Sequence, residues 1–140
     1  MWTWLVVGLL VLQAHFAISY IVPIDRANLD GWLPSLISWV FPWGQGDRGL
    51  LNASGSSEGF ALGFFIAAAA TLLSLGAILA VFGLVVPHDW WKALTIAGAV
   101  VSIVLLLGFF EPHKVVPIAF EAAVIVAIVT RWAPLTEAAA

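Results

Sequence analysis

Four apolar stretches, each long enough to cross a lipid bilayer as a helix, occupy most of this chain of 140 residues. They lie at residues 2–22, 60–86, 91–110 and 113–132. A membrane-spanning helix needs about 20 apolar residues, because the hydrocarbon core of a bilayer is about 30 Å thick and a helix rises about 1.5 Å per residue. The pattern therefore predicts one domain of the all-α class, an integral membrane four-helix bundle.

The composition supports this class and excludes several others. Hydrophobic residues make up 63% of the chain and charged residues only 9%, whereas an average soluble domain has about 25% charged residues. The net charge of −3 with five Lys and Arg residues argues against nucleic acid as a partner, because phosphate binding needs a basic surface. The chain has no cysteine, which excludes a disulfide, a thiolate nucleophile and a cysteine metal site.

The boundaries between the stretches predict the topology. Pro23, Pro87 and Pro112 follow the first three stretches, and the turns after the second and third are short, so spans two to four should run antiparallel. No basic segment precedes the first stretch, so we expect it to be retained as a helix. We expect a multi-pass protein of the cell (inner) membrane with both termini cytoplasmic. Tryptophans that favour the headgroup region fall at span ends on one side: Trp2, Trp4, Trp90, Trp91 and Trp132.

The long first loop, residues 23–59, contains an apolar segment that is too short to span. Residues 33–43 of this loop are mostly apolar, and Pro34 suits the first turn of a helix. We therefore predict a short interfacial helix. Its aromatic residues either anchor the loop in the interface or form a lid over the mouth of the bundle; the candidates are Trp32, Trp39 and Trp43.

Stripes of small residues predict where the helices pack, because small side chains let helix backbones approach closely in lipid. Span two and span three each carry such a stripe and should form a tight hairpin. Span four carries a third stripe roughly opposite Glu121, which would face outward toward a second copy or another membrane protein; the alternative is that alanine is merely tolerated beside lipid. The packing candidates are Gly63, Ala67, Ala70, Ser74 and Ala77, then Gly98, then Ala119, Ala123 and Ala127.

Glu121 is an isolated carboxylate inside the fourth stretch, and such residues usually face the interior of a bundle. Counting along the helices places Glu121 and Ser102 about 16 Å from the terminus side and His15 about 20 Å from it. The hypothesis is that His15 and Glu121 form a titrating pair in mid-membrane, with Ser102 in the same layer. The alternative is a neutral Glu121 bonded to a backbone carbonyl, such as that of His113, which Pro117 leaves without its usual donor.

Other chemistry has little support in the sequence. His88 and His113 lie at opposite membrane surfaces, so they cannot share a metal site, and no metal is predicted. No cofactor is predicted either, although a single tetrapyrrole ligand at His15 is left open. No nucleophile, base and acid occur in a catalytic arrangement, so the sequence does not favour an enzyme.

The four-span architecture resembles that of the small multidrug-resistance transporters. That family has its essential Glu in the first span, where this chain has Gln13 and His15, so no functional residue carries over. Two functions of different class remain. We favour a structural or accessory subunit, or an oligomer, that packs through its small-residue faces in the lipid bilayer. The second is binding of a lipid-like ligand, or translocation of a proton or small molecule, at Glu121 and His15; an acid–base isomerase is a weaker third.

Overall fold

A computed structural model describes residues 2–19, 31–32, 36, 57–110 and 112–132 of the chain. These residues contain four α-helices, which we call α1 (Trp2–Ser19), α2 (Ser57–Val81), α3 (Trp91–Gly108) and α4 (Val115–Val129). Short 3₁₀ helices, His88–Trp90 and Pro112–Lys114, lead into α3 and α4. The described part of the chain is therefore all-α, as the sequence predicted. The central part of the loop 23–59, with Trp39 and Trp43, lies outside the described residues.

Two of the four helices are long and apolar enough to cross a membrane. They are the segments Ala61–Val81 and His88–Gly108, each 21 residues long. The helices α1 and α4 are apolar but shorter, with 18 and 15 residues. At about 1.5 Å per residue, α4 is about 22 Å long, so the predicted fourth span includes the flanking 3₁₀ turn and the residues after the helix.

The helix α2 ends five residues before the predicted end of span two, because a glycine rather than Pro87 stops it. Gly83 has φ = 63°. The amide of Leu84 donates to the Leu79 carbonyl at 2.8 Å, and the amide of Gly83 donates to the Ala80 carbonyl at 2.9 Å. This pair of hydrogen bonds is the Schellman motif, which satisfies the last carbonyls of a helix.

The helix α4 ends with the same motif, but an arginine occupies the left-handed position. Arg131 has φ = 53°, and the amides of Arg131 and Trp132 donate to the carbonyls of Ile128 and Ala127 at 3.1 and 3.0 Å. The turn after α2 also contains a β-branched residue, Val85, with φ = 64°. A β-branched side chain disfavours this conformation, so the turn stores backbone strain.

The four helices pack as a bundle in which α2 and α3 form the closest pair. The helix α2 also packs along α1, and α3 packs along α4. The helices α1 and α4 meet through side chains: the rings of Phe16 and Phe120 lie edge to face, with centroids 5.2 Å apart. One core cluster joins all four helices, and its buried members are Val6, Leu10, Ala77, Ala80, Val81, Trp91, Val124 and Ile128.

The distribution of polar and apolar side chains is inverted relative to a soluble protein. Large apolar side chains are exposed along every helix, for example Val11 on α1, Leu72 on α2, Val104 on α3 and Val126 on α4. A water-soluble monomer rarely exposes such extensive apolar surface. The buried positions, in contrast, include seven polar or charged side chains: Gln13, Ser19, Ser74, Thr95, Ser102, Lys114 and Glu121.

Aromatic side chains collect at the end of the bundle that contains the α2–α3 turn. The indole of Trp4 packs edge to face against Phe82, with centroids 5.9 Å apart, and Trp90 and Trp132 are exposed. Trp91 differs, because it is buried in the core cluster, 3% exposed, with the Lys92 ammonium 5.4 Å from its ring centroid. Trp91 was expected in the headgroup region because it lies at the end of an apolar stretch, but it is a core residue.

Candidate functional site

Glu121 lies in the middle of α4 on the face that packs against the bundle. The buried residues of this face recur at helical spacing and are Lys114, Pro117, Glu121, Val124 and Ile128. Glu121 is 0% exposed, and neither of its carboxylate oxygens has a hydrogen-bond partner. Glu121 therefore makes no hydrogen bond to a backbone carbonyl, which was the alternative to the pair with His15.

Ser102 is the polar side chain that faces Glu121 from α3. It is 0% exposed, and its hydroxyl oxygen also lacks a hydrogen-bond partner. The two groups are thus neighbours without a hydrogen bond of ordinary geometry. Ser102 and Glu121 therefore lie beside each other in the bundle.

His15 makes no hydrogen bond to the Glu121 carboxylate. The imidazole is half-buried and tilted against the ring of Phe16, with centroids 6.3 Å apart. Gly8, which shares its helix face, is exposed. Gln13 of α1, in contrast, is buried in the bundle and 1% exposed.

Gln13 bridges from α1 to α3. Its amide nitrogen donates to the backbone carbonyl of Thr95 at 3.0 Å. The same nitrogen lies 3.0 Å from where a Cβ atom on Gly98 would be, and the hydroxyl oxygen of Ser74 lies 3.2 Å from that point. Glycine at position 98 therefore makes room for two polar side chains. The side-chain oxygen of Gln13 is buried without a hydrogen-bond partner.

The small-residue stripes of α2 and α3 lie in this interior. The helix α2 buries Gly63, Ala67, Ala70, Ser74 and Ala77, and α3 buries Gly98. On α4 the stripe faces outward: Ala119 and Ala123 are exposed and Ala127 is half-buried. Trp32, proposed as an anchor or lid, is 77% exposed. The stripe of α4 is thus the one of these three that faces away from the other helices of the bundle.

Two basic side chains cap the C-terminal ends of helices rather than forming a separate site. The Nδ1 atom of His88 lies 3.0 Å from the Ala80 carbonyl and 3.2 Å from the Val81 carbonyl, at the end of α2. The ammonium of Lys114, which is fully buried, donates to the Phe109 carbonyl at 2.6 Å, at the end of α3. Basic groups are favourable here because unpaired carbonyls and the negative end of the helix dipole converge.

Sequence reasoning missed Gln13 and Lys114 as interior groups, although a signal existed for each. Gln13 interrupts an apolar stretch as Glu121 does, and the same argument about buried polar groups applies to it. Lys114 follows a helix end within a few residues, which is typical of a side chain that caps carbonyls. Within the described part of the chain, no three His, Cys, Asp or Glu residues lie close enough to hold a metal ion.

A groove opens on the outer surface where α1 and α4 meet. It encloses about 190 Å³ and is lined by Leu9, Phe120, Ala123, Val124, Ala127 and Trp132. A much smaller opening of about 10 Å³ lies deeper between the same helices and α3, beside Gln13, Thr95 and Val124. The groove is apolar and borders the alanine stripe of α4.

Comparisons of the chain with protein-family models, with curated proteins and with solved structures found no match.

Proposed function

We propose that this protein is a small integral membrane protein with four spans that packs against another membrane helix through the outer face of α4. In the simplest case that helix is α4 of a second copy. The observation that carries the proposal is that the small-residue faces of α2 and α3 are buried in the bundle, whereas that of α4 is exposed.

Membrane insertion of all four helices is supported by the inverted distribution of side chains. Exposed apolar residues on every helix would be costly in water at about 25 cal/mol per Å² of apolar surface. The charged residues whose exposure the structure describes at or between the helix ends are Asp89, Lys92, Lys114 and Arg131. The apolar middle of the bundle, with charges near its ends, is typical of a protein in a bilayer.

The outer face of α4 has the features of a helix-packing surface. Ala119, Ala123 and Ala127 recur every four residues, which is the spacing that allows two helices to approach closely in lipid. The neighbouring groove of about 190 Å³ would accept larger side chains of the partner helix. A pair of copies related by a two-fold axis would place the same stripe on both sides of the contact.

Cysteine cross-linking in a bilayer tests this proposal, and the native chain contributes no cysteine of its own. The variant Ala123→Cys should form a disulfide-linked dimer when vesicles that contain the protein are oxidised. The matched control is Ala69→Cys, because Ala69 is also an exposed alanine in the middle of a helix, α2. A dimer yield no higher for position 123 than for position 69, in vesicles containing only this protein, would contradict packing between copies.

A further inference from the structure

The bundle interior contains four buried acceptor oxygens that no donor of the described residues satisfies. They are the two carboxylate oxygens of Glu121, the hydroxyl oxygen of Ser102 and the side-chain oxygen of Gln13. Buried polar atoms are normally paired, so each such atom needs an explanation. Three side chains from three helices share the feature here, which points to a common partner that is not part of the protein.

The three side chains meet α3 at neighbouring positions along its length. Ser102 faces Glu121, and Gln13 lies against Gly98, which is four residues, or about one helical turn, from Ser102. On α4, Val124 follows Glu121 by three residues and borders the small opening beside Gln13. The unpartnered oxygens therefore lie within about two helical turns.

Neither of two basic side chains of the bundle, Lys114 and His15, donates a hydrogen bond to the Glu121 carboxylate. Lys114 lies on the same face of α4, but it is seven residues away, about 10 Å along the helix, and its ammonium is bonded to Phe109 at the far end of α3. His15, on α1, makes no hydrogen bond to the Glu121 carboxylate. An ionised Glu121 in this position needs a positive charge from outside the described helices, and without one burial favours the protonated, neutral acid.

Oxygen donors with a total charge of −1 fit one hard monovalent cation. Hard cations prefer carboxylate, hydroxyl and amide oxygens. A single positive charge would leave the buried site neutral, whereas a divalent ion would leave a net charge in a medium of low dielectric constant. A water molecule could donate to two of the oxygens but would not neutralise the carboxylate.

We propose that Glu121 and Ser102, with the Gln13 side chain one turn away, bind one sodium ion in the interior of the bundle. This function goes beyond helix packing and does not depend on it, because none of the three side chains belongs to the outer face of α4. Binding requires only that the bundle is folded in its lipid environment.

Reaction of Glu121 with dicyclohexylcarbodiimide in vesicles provides the test. The protonated carboxylic acid adds across one C=N bond of this apolar reagent, and no group leaves, so mass spectrometry detects the adduct on the Glu121 peptide. A bound sodium ion holds the carboxylate deprotonated and slows the addition. In sodium at about ten times its dissociation constant, labelling should be on the order of tenfold slower than in N-methylglucamine at equal pH and ionic strength.

Variants separate the proposed ligands from general effects. Ser102→Ala should still be labelled but should lose most of the protection by sodium. The matched control is Ser19→Ala, since Ser19 is equally buried but its hydroxyl is bonded to the His15 carbonyl in its own helix; it should keep the protection. Equal labelling rates of the native protein in sodium and in N-methylglucamine would overturn the proposal.

A second measurement decides the outcome if Glu121 does not react at all. A ligand that binds only the folded protein stabilises it by RT ln(1 + L/Kd), where L is the free ligand concentration, and so raises its unfolding midpoint as the ligand concentration increases. Sodium, compared with N-methylglucamine, should raise the unfolding midpoint of the native protein but not that of Glu121→Gln. The same shift in both proteins, or no shift in either, would also overturn the proposal.

Discussion

The contact at Gly98 gives the sharpest prediction of stability from this structure. In Gly98→Ala, the new Cβ would lie 3.0 Å from the Gln13 amide nitrogen, 3.2 Å from the Ser74 hydroxyl oxygen and 3.4 Å from the Leu73 Cβ. Overpacking of this kind typically costs about 1–3 kcal/mol. Replacing glycine by alanine within a helix gains about 0.8–1.0 kcal/mol. We expect the variant to lose between about 0 and 2 kcal/mol of stability.

A second helical glycine, Gly76, serves as a control, because the gain in helix propensity from glycine to alanine is the same in both variants. In Gly76→Ala, the nearest atom to the new Cβ would be Leu94 Cδ1 at 3.6 Å, an ordinary van der Waals contact. In Gly8→Ala, no other atom would lie within 4 Å of the new Cβ. Both variants should gain up to about 1 kcal/mol. The difference between Gly98→Ala and Gly76→Ala therefore isolates packing, and it should be about 1–3 kcal/mol.

Unfolding of the protein in lipid–detergent bicelles by added dodecyl sulfate, followed by far-UV circular dichroism, measures these differences. The double variant Gln13→Ala with Gly98→Ala should recover part of the loss, because it removes the amide that the new methyl group approaches most closely. If Gly98→Ala stabilises the protein as much as Gly76→Ala does, the close approach of Gln13 to α3 is wrong.

Three further variants test other contacts by the same unfolding measurement. Val85→Gly should stabilise the protein by about 1 kcal/mol, because relief of the positive φ exceeds the entropic cost of glycine; a destabilised variant would contradict the strained turn. His88→Ala should cost about 0.5–1.5 kcal/mol and speed amide exchange in the last turn of α2, since the Ala80 and Val81 carbonyls lose their side-chain partner; unchanged exchange there would be inconsistent with the cap. Lys114→Met should cost about 1.5–3 kcal/mol, because the Phe109 carbonyl loses a charged donor, and an unchanged midpoint would show that this bond contributes nothing.

Much of the fold could be predicted because apolar runs and stripes of small residues are direct signals in a chain of this composition. The stripe from Gly63 to Ala77 predicted the buried face of α2 by periodicity alone. Helix ends were harder to predict. Pro87 was expected to end span two, but the glycine at position 83 ends α2 earlier through hydrogen bonds that its backbone conformation permits.

The candidate site was predictable on α3 and α4 but not on α1. The small residues of α3 and the single carboxylate of α4 identify which faces point inward. The helix α1 is apolar on all sides apart from Thr3, Gln13, His15 and Ser19, so its composition does not show whether Gln13 or His15 faces the bundle. The space beside Gly98 admits the Gln13 side chain there, and that complementarity is a property of the packed helices rather than of α1.

In a bilayer, the outer surface of all four helices should face lipid while the polar side chains lie inside. Spin labels attached at Val11→Cys, Leu72→Cys, Val104→Cys and Val126→Cys, one exposed position on each helix, test this in vesicles. Collisions with oxygen, which dissolves in lipid, are compared with collisions with a water-soluble nickel chelate, and Asp89→Cys in the α2–α3 turn serves as the aqueous control. Oxygen collisions should dominate at all four helix positions, and nickel collisions should dominate at position 89. Strong nickel collisions at any of the four helix positions would contradict the four-span arrangement.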